Sequence, residues 1–151
     1  MRGAVLTLVA GLLSGLTAAP ALADDAEAVK AVVADFHQAM AEGYKDGVLA
    51  LLAPDAVVFE TGYIEASRDQ YAAGHLDNDL LYAAKVKYRM VHSQAEASGD
   101  LGYVITQGVS EGEFAGQAIH LANTETMVLR RIDGAWKIVH IHWSAHEPPA
   151  N

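Results

Sequence analysis

The chain contains no cysteine, and its basic residues are few. Without a thiol, neither a disulfide nor a thiolate metal site can form, and an oxidising compartment is allowed but not required. Lysine and arginine together number 10 against 19 aspartate and glutamate residues, which gives a net charge of −9. No basic stripe is available to neutralise phosphates, which argues against nucleic acid and anionic lipid surfaces as partners. We also predict no cofactor.

The N-terminus has the pattern of an export signal. Met1–Gly3 carries one positive charge and precedes the apolar run Ala4–Leu13, and Ala21–Ala23 is a small-x-small cleavage pattern. This arrangement predicts a signal peptide over residues 1–23, because the apolar run is too short for the alternative, a transmembrane anchor. We therefore expect a secreted or periplasmic protein, with no membrane segment in its mature form. The prediction is a single domain over 24–146 and a disordered tail over 147–151.

Helical patterns dominate the first half of the domain. A capping pattern at Asp24–Glu27 predicts a helix that continues to Gly43, with an apolar stripe formed by Val29, Val32, Val33, Phe36 and Met40. His37 lies at the edge of this stripe and is either a surface histidine or a pocket residue. Beyond it the sequence predicts a short helix over 48–52 and strands over 57–60 and 63–65.

A second capping pattern at Ser67 predicts one helix that runs to about Tyr82. Within it, Tyr71, His75 and Asp79 have i, i+4, i+8 spacing and would share one face. Asp79 would then orient the His75 imidazole and raise its pKa, which suits proton transfer or ligand contact. The alternative is a solvated surface pair.

From Lys85 onward, alternating and β-branched residues predict long antiparallel strands over 85–92, 101–109, 118–131 and 136–144. Helices first and strands afterwards predict an α+β fold in which a curved antiparallel sheet wraps around the N-terminal helix.

The turn at Asp133-Gly134 decides which side chains of the last hairpin face inward, because a shift of one residue exchanges the two faces. A two-residue loop would pair Ile132 with Ala135. We favour instead a type I turn with Gly134 in a bulge position. This register pairs Met127 with Val139, Glu125 with Ile141 and Asn123 with Trp143. It puts Met127, Leu129, Val139, Ile141 and Trp143 around Glu125 on one apolar face, and Thr124, Thr126, Arg130, Trp136, His140 and His142 on the other.

Glu125-Thr126, followed by Arg-Arg-x-Asp-Gly-x-Trp-x-Ile-Val-His-x-His-x-Ser over residues 130–144, resembles the end of the association domain of calcium/calmodulin-dependent kinase II. The chain is more broadly similar to the SnoaL-like members of the nuclear transport factor 2-like superfamily. The resemblance implies a cone-shaped, cystatin-like α+β barrel, often dimeric through its sheet, with a pocket between sheet and helices. Met127 and Trp143 stand where the kinase domain has pocket arginines, so a pocket for anionic ligands is not implied.

The resemblance makes an isomerase- or cyclase-like pocket for a small organic molecule our first hypothesis, although the superfamily also has non-enzymatic members. Such enzymes use a pocket aspartate as a base, and Glu125 or Glu60 are the candidates here. We expect an apolar environment to raise the pKa of Glu125 and make it a general base. The expected lining residues are Phe36, Glu60, His75, Tyr103, Met127, Ile141 and Trp143.

Two alternatives remain open. The first is a metal site built on His140 and His142, completed by His146, His120 or an acidic residue. The second is a non-catalytic assembly module that forms a homodimer through the outer sheet face, using Trp136, Ile138, His140 and His142. This second role is compatible with a small-molecule pocket.

Overall fold

A computed structural model describes residues 19–148, with side chains described from residue 24 onward. The helices are α1 (Ala19–Ala41), α2 (Lys45–Leu51), α3 (Arg68–Ala73) and α4 (Leu76–Ala83). The strands are β1 (Leu52–Glu60), β2 (Tyr63–Glu65), β3 (Val86–Ser98), β4 (Leu101–Phe114), β5 (Gln117–Ile132) and β6 (Ala135–His146). Among the described residues, no helix is long and apolar enough to cross a membrane.

The six strands form one curved sheet in the order β2-β1-β6-β5-β4-β3. Strands β3 to β6 pair as an antiparallel meander, as the sequence predicts. Strand β1 lies on the other side of β6 and runs parallel to it, a pairing that the sequence did not predict. The observed architecture confirms the predicted α+β class, with the sheet curved around the N-terminal helix.

The core lies between α1 and the inner face of the sheet. The α1 side chains Val29, Val33 and Phe36 are at most 2% exposed, which matches the predicted stripe. They belong to the same buried cluster as Met127, Leu129, Ile138 and Ile141 of the last hairpin. Packing against β3, β4 and β6 fixes the direction of α1, and with it the direction of the polar residues at the edge of its stripe.

Two helix predictions need correction. Helix α1 already includes Ala19, so the capping pattern at Asp24 does not start it. The helix predicted over 67–82 is two helices, because the chain breaks at Gly74 (φ −97°, ψ −99°) and His75 becomes the N-terminal cap residue of α4. Most of the predicted signal peptide (1–18) and most of the predicted tail (149–151) lie outside the described residues.

The last hairpin does not have the predicted turn. Asp133 (φ 50°) and Gly134 (φ 82°) both have positive φ, as in a two-residue type I′ turn, and Ile132 pairs with Ala135. The bulge lies further along, where Val128 pairs with His140 and Leu129 with Ile138. The predicted pairs were therefore wrong: Glu125 lies opposite Trp143, Met127 opposite Ile141, and Asn123 opposite Ala145.

The displaced bulge nevertheless leaves the predicted inner face largely intact. Glu125, Met127, Leu129 and Ile141 are buried, whereas His142 is exposed on the outer face. On β6, between the turn and the bulge, the side chains predicted to face outward face inward. Trp136 (7% exposed) and Ile138 (0%) are therefore buried. The assembly surface predicted from Trp136, Ile138, His140 and His142 is thus divided between the two faces of the sheet.

Candidate functional site

A cavity of about 1000 Å³ opens between α1, α4 and the inner face of the sheet. Phe36 and Trp143, with ring centroids 6.2 Å apart, form part of its apolar wall. Two carboxylates, Glu125 from β5 and Glu60 from the end of β1, face the same space. The other lining residues include His37, Met40, Asn78, Asp79, Tyr82, Tyr88, Met90, Ser110 and Asn123.

The structure brings some of the predicted pocket residues together and removes others. Phe36, Glu60, Glu125 and Trp143 line the cavity. Met127 and Ile141 have the predicted face, but neither borders the cavity and both belong to the buried core cluster. Tyr103 lies on the opposite face, because its neighbours Gly102 and Val104 are the buried residues of that part of β4. Tyr103 and Met127 were therefore wrongly assigned to the lining, as was Ile141.

Glu125 lies at one end of the cavity and accepts hydrogen bonds from three side chains. Nε2 of His37 lies 3.1 Å from Oε1 and the Thr106 hydroxyl donates to the same oxygen at 3.2 Å. The indole N–H of Trp143 donates to Oε2 at 2.6 Å. Glu125 is 6% exposed, so its carboxylate exchanges almost all of its water contacts for these donors.

These donors overturn the expected titration of Glu125. Burial alone raises the pKa of its carboxyl, but the hydrogen bonds and charge of His37 and the bonds from Trp143 and Thr106 outweigh it, and the net pKa is lowered. Glu125 is thus ionised at neutral pH. Its environment is that of a fixed hydrogen-bond acceptor rather than of the neutral-pH base that we expected.

Tyr88 of β3 supports the same end of the cavity. Its ring stacks on the His37 imidazole, with centroids 5.4 Å apart and planes inclined by 11°. Its hydroxyl donates to Thr106 Oγ1 at 3.3 Å, which links it to Glu125. The ring also covers Gly108, where any side chain would overlap it. We name His37, Tyr88, Thr106, Glu125 and Trp143 the Glu125 network.

Glu60 of β1 lies on the other side of Trp143 from Glu125, and one of its carboxyl oxygens is buried. Oε2 is buried without a hydrogen-bond partner among the described residues. Burial, reinforced by the neighbouring charge of Asp79, raises the pKa of Glu60 to about 7. Burial also raises the pKa of Asp79, although Asp79 accepts a hydrogen bond from the Tyr71 hydroxyl at 2.9 Å.

His75 forms no hydrogen bond with Asp79 among the described residues, although the charge of Asp79 contributes to raising the pKa of His75, as predicted. It pairs instead with Glu65 of β2, and this hydrogen bond raises the pKa of His75. His75 is near Glu60 but does not line the cavity. Its predicted place in the lining is therefore wrong.

His140 and His142 lie on the outer face next to Phe59, at centroid distances of 5.0 and 6.0 Å from its ring and 6.4 Å from each other. The His140 Nδ1–H donates to the Val57 carbonyl at 3.0 Å. His120 pairs with Glu111 at 3.2 Å, and no group of three or more metal-ligating side chains occurs in the part of the chain that the structure describes. The two histidines alone are too few ligands for a closed metal site.

Tyr88 and Thr106 were not predicted as pocket residues, and for His37 the sequence allowed both a surface and a pocket position. Residues two apart in a strand face the same side of the sheet. Tyr88 and Thr106 each follow a buried valine, Val86 and Val104, by two residues, so strand alternation could have predicted that both face inward. No local pattern contains the contact between His37 and Glu125, which are 88 residues apart.

Comparison with known proteins places the fold and the family. The model of the SnoaL-like domain family matches residues 29–148. No curated protein matches the chain. A putative ketosteroid isomerase from Shewanella frigidimarina NCIMB 400 is similar in structure, with a TM-score of 0.74, 32% identity and coverage of 78% of this chain and 94% of the other.

Two further solved structures show the same fold at lower identity. The calcium/calmodulin-dependent kinase II hub of S. rosetta has a TM-score of 0.68 at 24% identity and covers 80% of this chain and 96% of the other. A nuclear transport factor 2-like protein with a cystatin-like fold from Novosphingobium aromaticivorans has a TM-score of 0.71 at 17% identity. There the coverage is 91% of this chain and 94% of the other.

Proposed function

Since the chain belongs to the SnoaL-like family, we propose that it binds a small, neutral carbonyl compound in its cavity and transfers a proton on that compound through Glu60. The observation that carries this proposal is the raised pKa of Glu60, about 7, at a carboxyl that faces the cavity and whose buried oxygen has no donor within residues 24–148. General acid–base catalysis is most effective when the pKa of the catalytic group lies near the working pH.

The proton transfer follows from this protonation behaviour. Near pH 7 a large fraction of Glu60 is ionised, and its carboxylate is poorly solvated and therefore basic. It would remove a proton from the carbon next to the ligand carbonyl, and the electron pair of that C–H bond would form the C=C bond of the enol or enolate. The protonated Glu60 would then return the proton to the same carbon or to another, which is an isomerisation.

The charge of the lining favours a ligand without negative charge. Glu60, Asp79 and Glu125 all face the cavity, so an anion there would be repelled by carboxylates in an environment of low dielectric constant. Lys85 and Lys87 also border the cavity, but both are exposed. The aromatic side chains of Phe36 and Trp143 offer contact area to the apolar part of a ligand.

The similar protein from Shewanella frigidimarina supports this choice of reaction, because ketosteroid isomerisation moves a proton between two carbons of a carbonyl compound. It also suggests a first substrate. A β,γ-unsaturated ketosteroid gains ultraviolet absorbance when its double bond moves into conjugation, so turnover is read directly.

A more general probe does not require the natural substrate. 2-Tetralone exchanges the hydrogens beside its carbonyl for deuterium in D₂O, and the exchange is followed by NMR. We expect the protein to accelerate this exchange and Glu60→Gln to lower the acceleration by roughly 100-fold or more. Asp69→Asn is the matched control, since the Asp69 carboxyl is exposed on α3. Equal exchange by wild type and Glu60→Gln would exclude Glu60 as the base.

We propose in addition that two copies associate through the outer sheet face. Exposed apolar side chains on β3 and β4 favour this, namely Val91 (60% exposed), Leu101 (56%) and Ile105 (37%). The similarity to a kinase hub is one of fold and supports the assembly only as an analogy. Sedimentation velocity at micromolar concentration tests it: a dimer of the wild type should become a monomer in Ile105→Lys, and a wild-type monomer would contradict the proposal.

A further inference from the structure

The imidazole of His37, in the Glu125 network, has one ring nitrogen hydrogen-bonded to the protein and one without a partner among the described residues. Nε2 of His37 faces Glu125 Oε1 at 3.1 Å. Among the described residues, Nδ1 of His37 forms no hydrogen bond, although the side chain is 28% exposed and lines the cavity. The ring is held in place by stacking on Tyr88 and by an edge contact with Phe36, at a centroid distance of 5.9 Å.

The chemistry of Glu125 fixes which nitrogen carries the proton. An ionised carboxylate can only accept hydrogen bonds, so His37 must donate through Nε2–H. In the neutral imidazole Nδ1 is then a proton acceptor, and in the imidazolium it is a donor. Glu125 thus orients the ring and sets its tautomer, as carboxylates do for histidine in other acid–base sites.

We infer that His37, through Nδ1, is the group that exchanges a proton with an oxygen atom of the ligand, and that Glu125 and Tyr88 are its positioning residues. The inference rests on the proposed function of the cavity and deepens it. Glu60 transfers the proton to and from the ligand carbon, and His37 transfers the proton to and from the ligand oxygen. The ligand is therefore a carbonyl compound that forms an enol during the reaction.

The two groups complete a balanced step. The Glu60 carboxylate takes a proton from the carbon next to the carbonyl, and the electron pair of the C–H bond forms the C=C bond. The π bond of the carbonyl breaks, and its electron pair forms the new O–H bond with the Nδ1 proton of the His37 imidazolium. The products are the enol, protonated Glu60 and neutral His37. The reverse transfers, with the proton returned at a second carbon, give the isomerised ketone and restore both residues.

2-Naphthol tests this inference because it is a stable mimic of the enol of 2-tetralone, and naphthalene is the same body without the oxygen. We expect the wild type to bind 2-naphthol roughly tenfold more tightly than naphthalene, as one hydrogen bond in a dry site allows. His37→Gln should reduce this preference to roughly twofold or less, whereas Glu60→Gln should keep it. Retention of the full preference in His37→Gln, or its loss in Glu60→Gln alone, would overturn the inference.

A spectroscopic measurement separates a positioning role of Glu125 from a merely structural one. The ¹⁵N shifts of the His37 ring report which nitrogen is protonated. In the neutral imidazole we expect a proton on Nε2 alone in the wild type and a mixture of tautomers in Glu125→Gln, whose folding is checked by circular dichroism. A mixture already present in the wild type would contradict the assigned role of Nδ1.

These outcomes are distinguishable from failure of the proposed function. If 2-naphthol binds with a preference that depends on His37 but 2-tetralone does not exchange, the Glu60 reaction fails and the His37 contact stands. If exchange depends on Glu60 but the preference does not depend on His37, only the present inference fails. If neither naphthalene compound binds, the oxygen contact is excluded together with the apolar cavity site.

Discussion

The cavity has a carboxylate on each side of Trp143, but the surroundings of the two carboxylates differ. Glu125 accepts hydrogen bonds from His37, Thr106 and Trp143, and its pKa is lowered despite its burial. Glu60 has an unpartnered buried oxygen, and its pKa is raised to about 7. The number of donors therefore decides the protonation state more strongly than the depth of burial does.

The difference also separates two roles. A carboxylate with three donors cannot take up a proton without losing those bonds, so it is suited to fixing the geometry of its neighbours. A carboxylate without donors changes its protonation at little cost to the structure, so it is suited to proton transfer. On this basis the base expected at Glu125 is better placed at Glu60, which the sequence offered only as a second candidate.

The largest expected effect comes from removal of the acceptor at the Glu125 end. Glu125→Ala leaves the donors of His37, Thr106 and Trp143 without their acceptor, and the free energy of unfolding should fall by about 2–4 kcal/mol. Glu125→Gln retains one acceptor oxygen but presents an amide to one donor, and should lose about 1–2 kcal/mol. Urea unfolding measures both.

Glu113→Ala is the matched control for this series, since Glu113 is an exposed strand carboxylate near the end of β4. It should cost less than about 0.5 kcal/mol, as surface substitutions usually do. A cost for Glu125→Ala no larger than that of the control would mean that the donors do not depend on Glu125.

The sequence correctly predicted which side chains near Glu125 face inward, but it did not predict the turn of the hairpin. The predicted bulge at Gly134 and the observed bulge near Leu129 both add an extra residue to the hairpin, so the same side chains beyond the bulge face inward. Between turn and bulge the prediction failed, because burial of Trp136 and Ile138 beside Leu129 favours the other register. The family resemblance, carried by the same hairpin, is confirmed.

The site was less predictable than the fold. Local spacing treats residues 67–82 as one helix and cannot show that the chain breaks at Gly74, which sends His75 to Glu65. Neither can it show that α1 brings His37 to Glu125 across the core. Tertiary packing makes these contacts, and one sequence has no periodicity that encodes them.

A substitution at Gly108, which lies against the ring of Tyr88 in the Glu125 network, should have an intermediate effect on stability. Alanine in place of a strand glycine normally stabilises by about 0.5–1 kcal/mol. Here its methyl group would overlap the Tyr88 ring, so Gly108→Ala should instead destabilise by about 1–3 kcal/mol.

The same substitution in a Tyr88→Ala background provides the test of that cause. Without the ring, Gly108→Ala should become neutral or stabilising, and thermal unfolding of the four proteins gives the coupling energy. An equal cost in both backgrounds would place the strain elsewhere than at Tyr88.

The smallest expected effect concerns Glu60 and is a dependence on pH. Because folding raises its pKa from 4.5 to about 7, the folded state binds the proton more tightly than the unfolded state. The contribution of Glu60 to stability is therefore greatest below pH 4.5 and is lost as pH rises towards 7. Between pH 5 and 8, Glu60→Gln should gain about 1–2 kcal/mol relative to the wild type, since solvent screening reduces the full effect.

Urea unfolding at both pH values measures this gain, with Glu113→Gln at the exposed end of β4 as the control for the loss of one charge. The comparison between the two carboxylates predicts opposite signs. Glu125, whose pKa is lowered from 4.5, contributes more to stability as pH rises to about 5, so Glu125→Gln should lose stability relative to the wild type over that range, whereas Glu60→Gln gains it between pH 5 and 8. If both variants change in the same direction, the donors do not determine the protonation of the two carboxylates, and the assignment of separate roles to Glu60 and Glu125 fails.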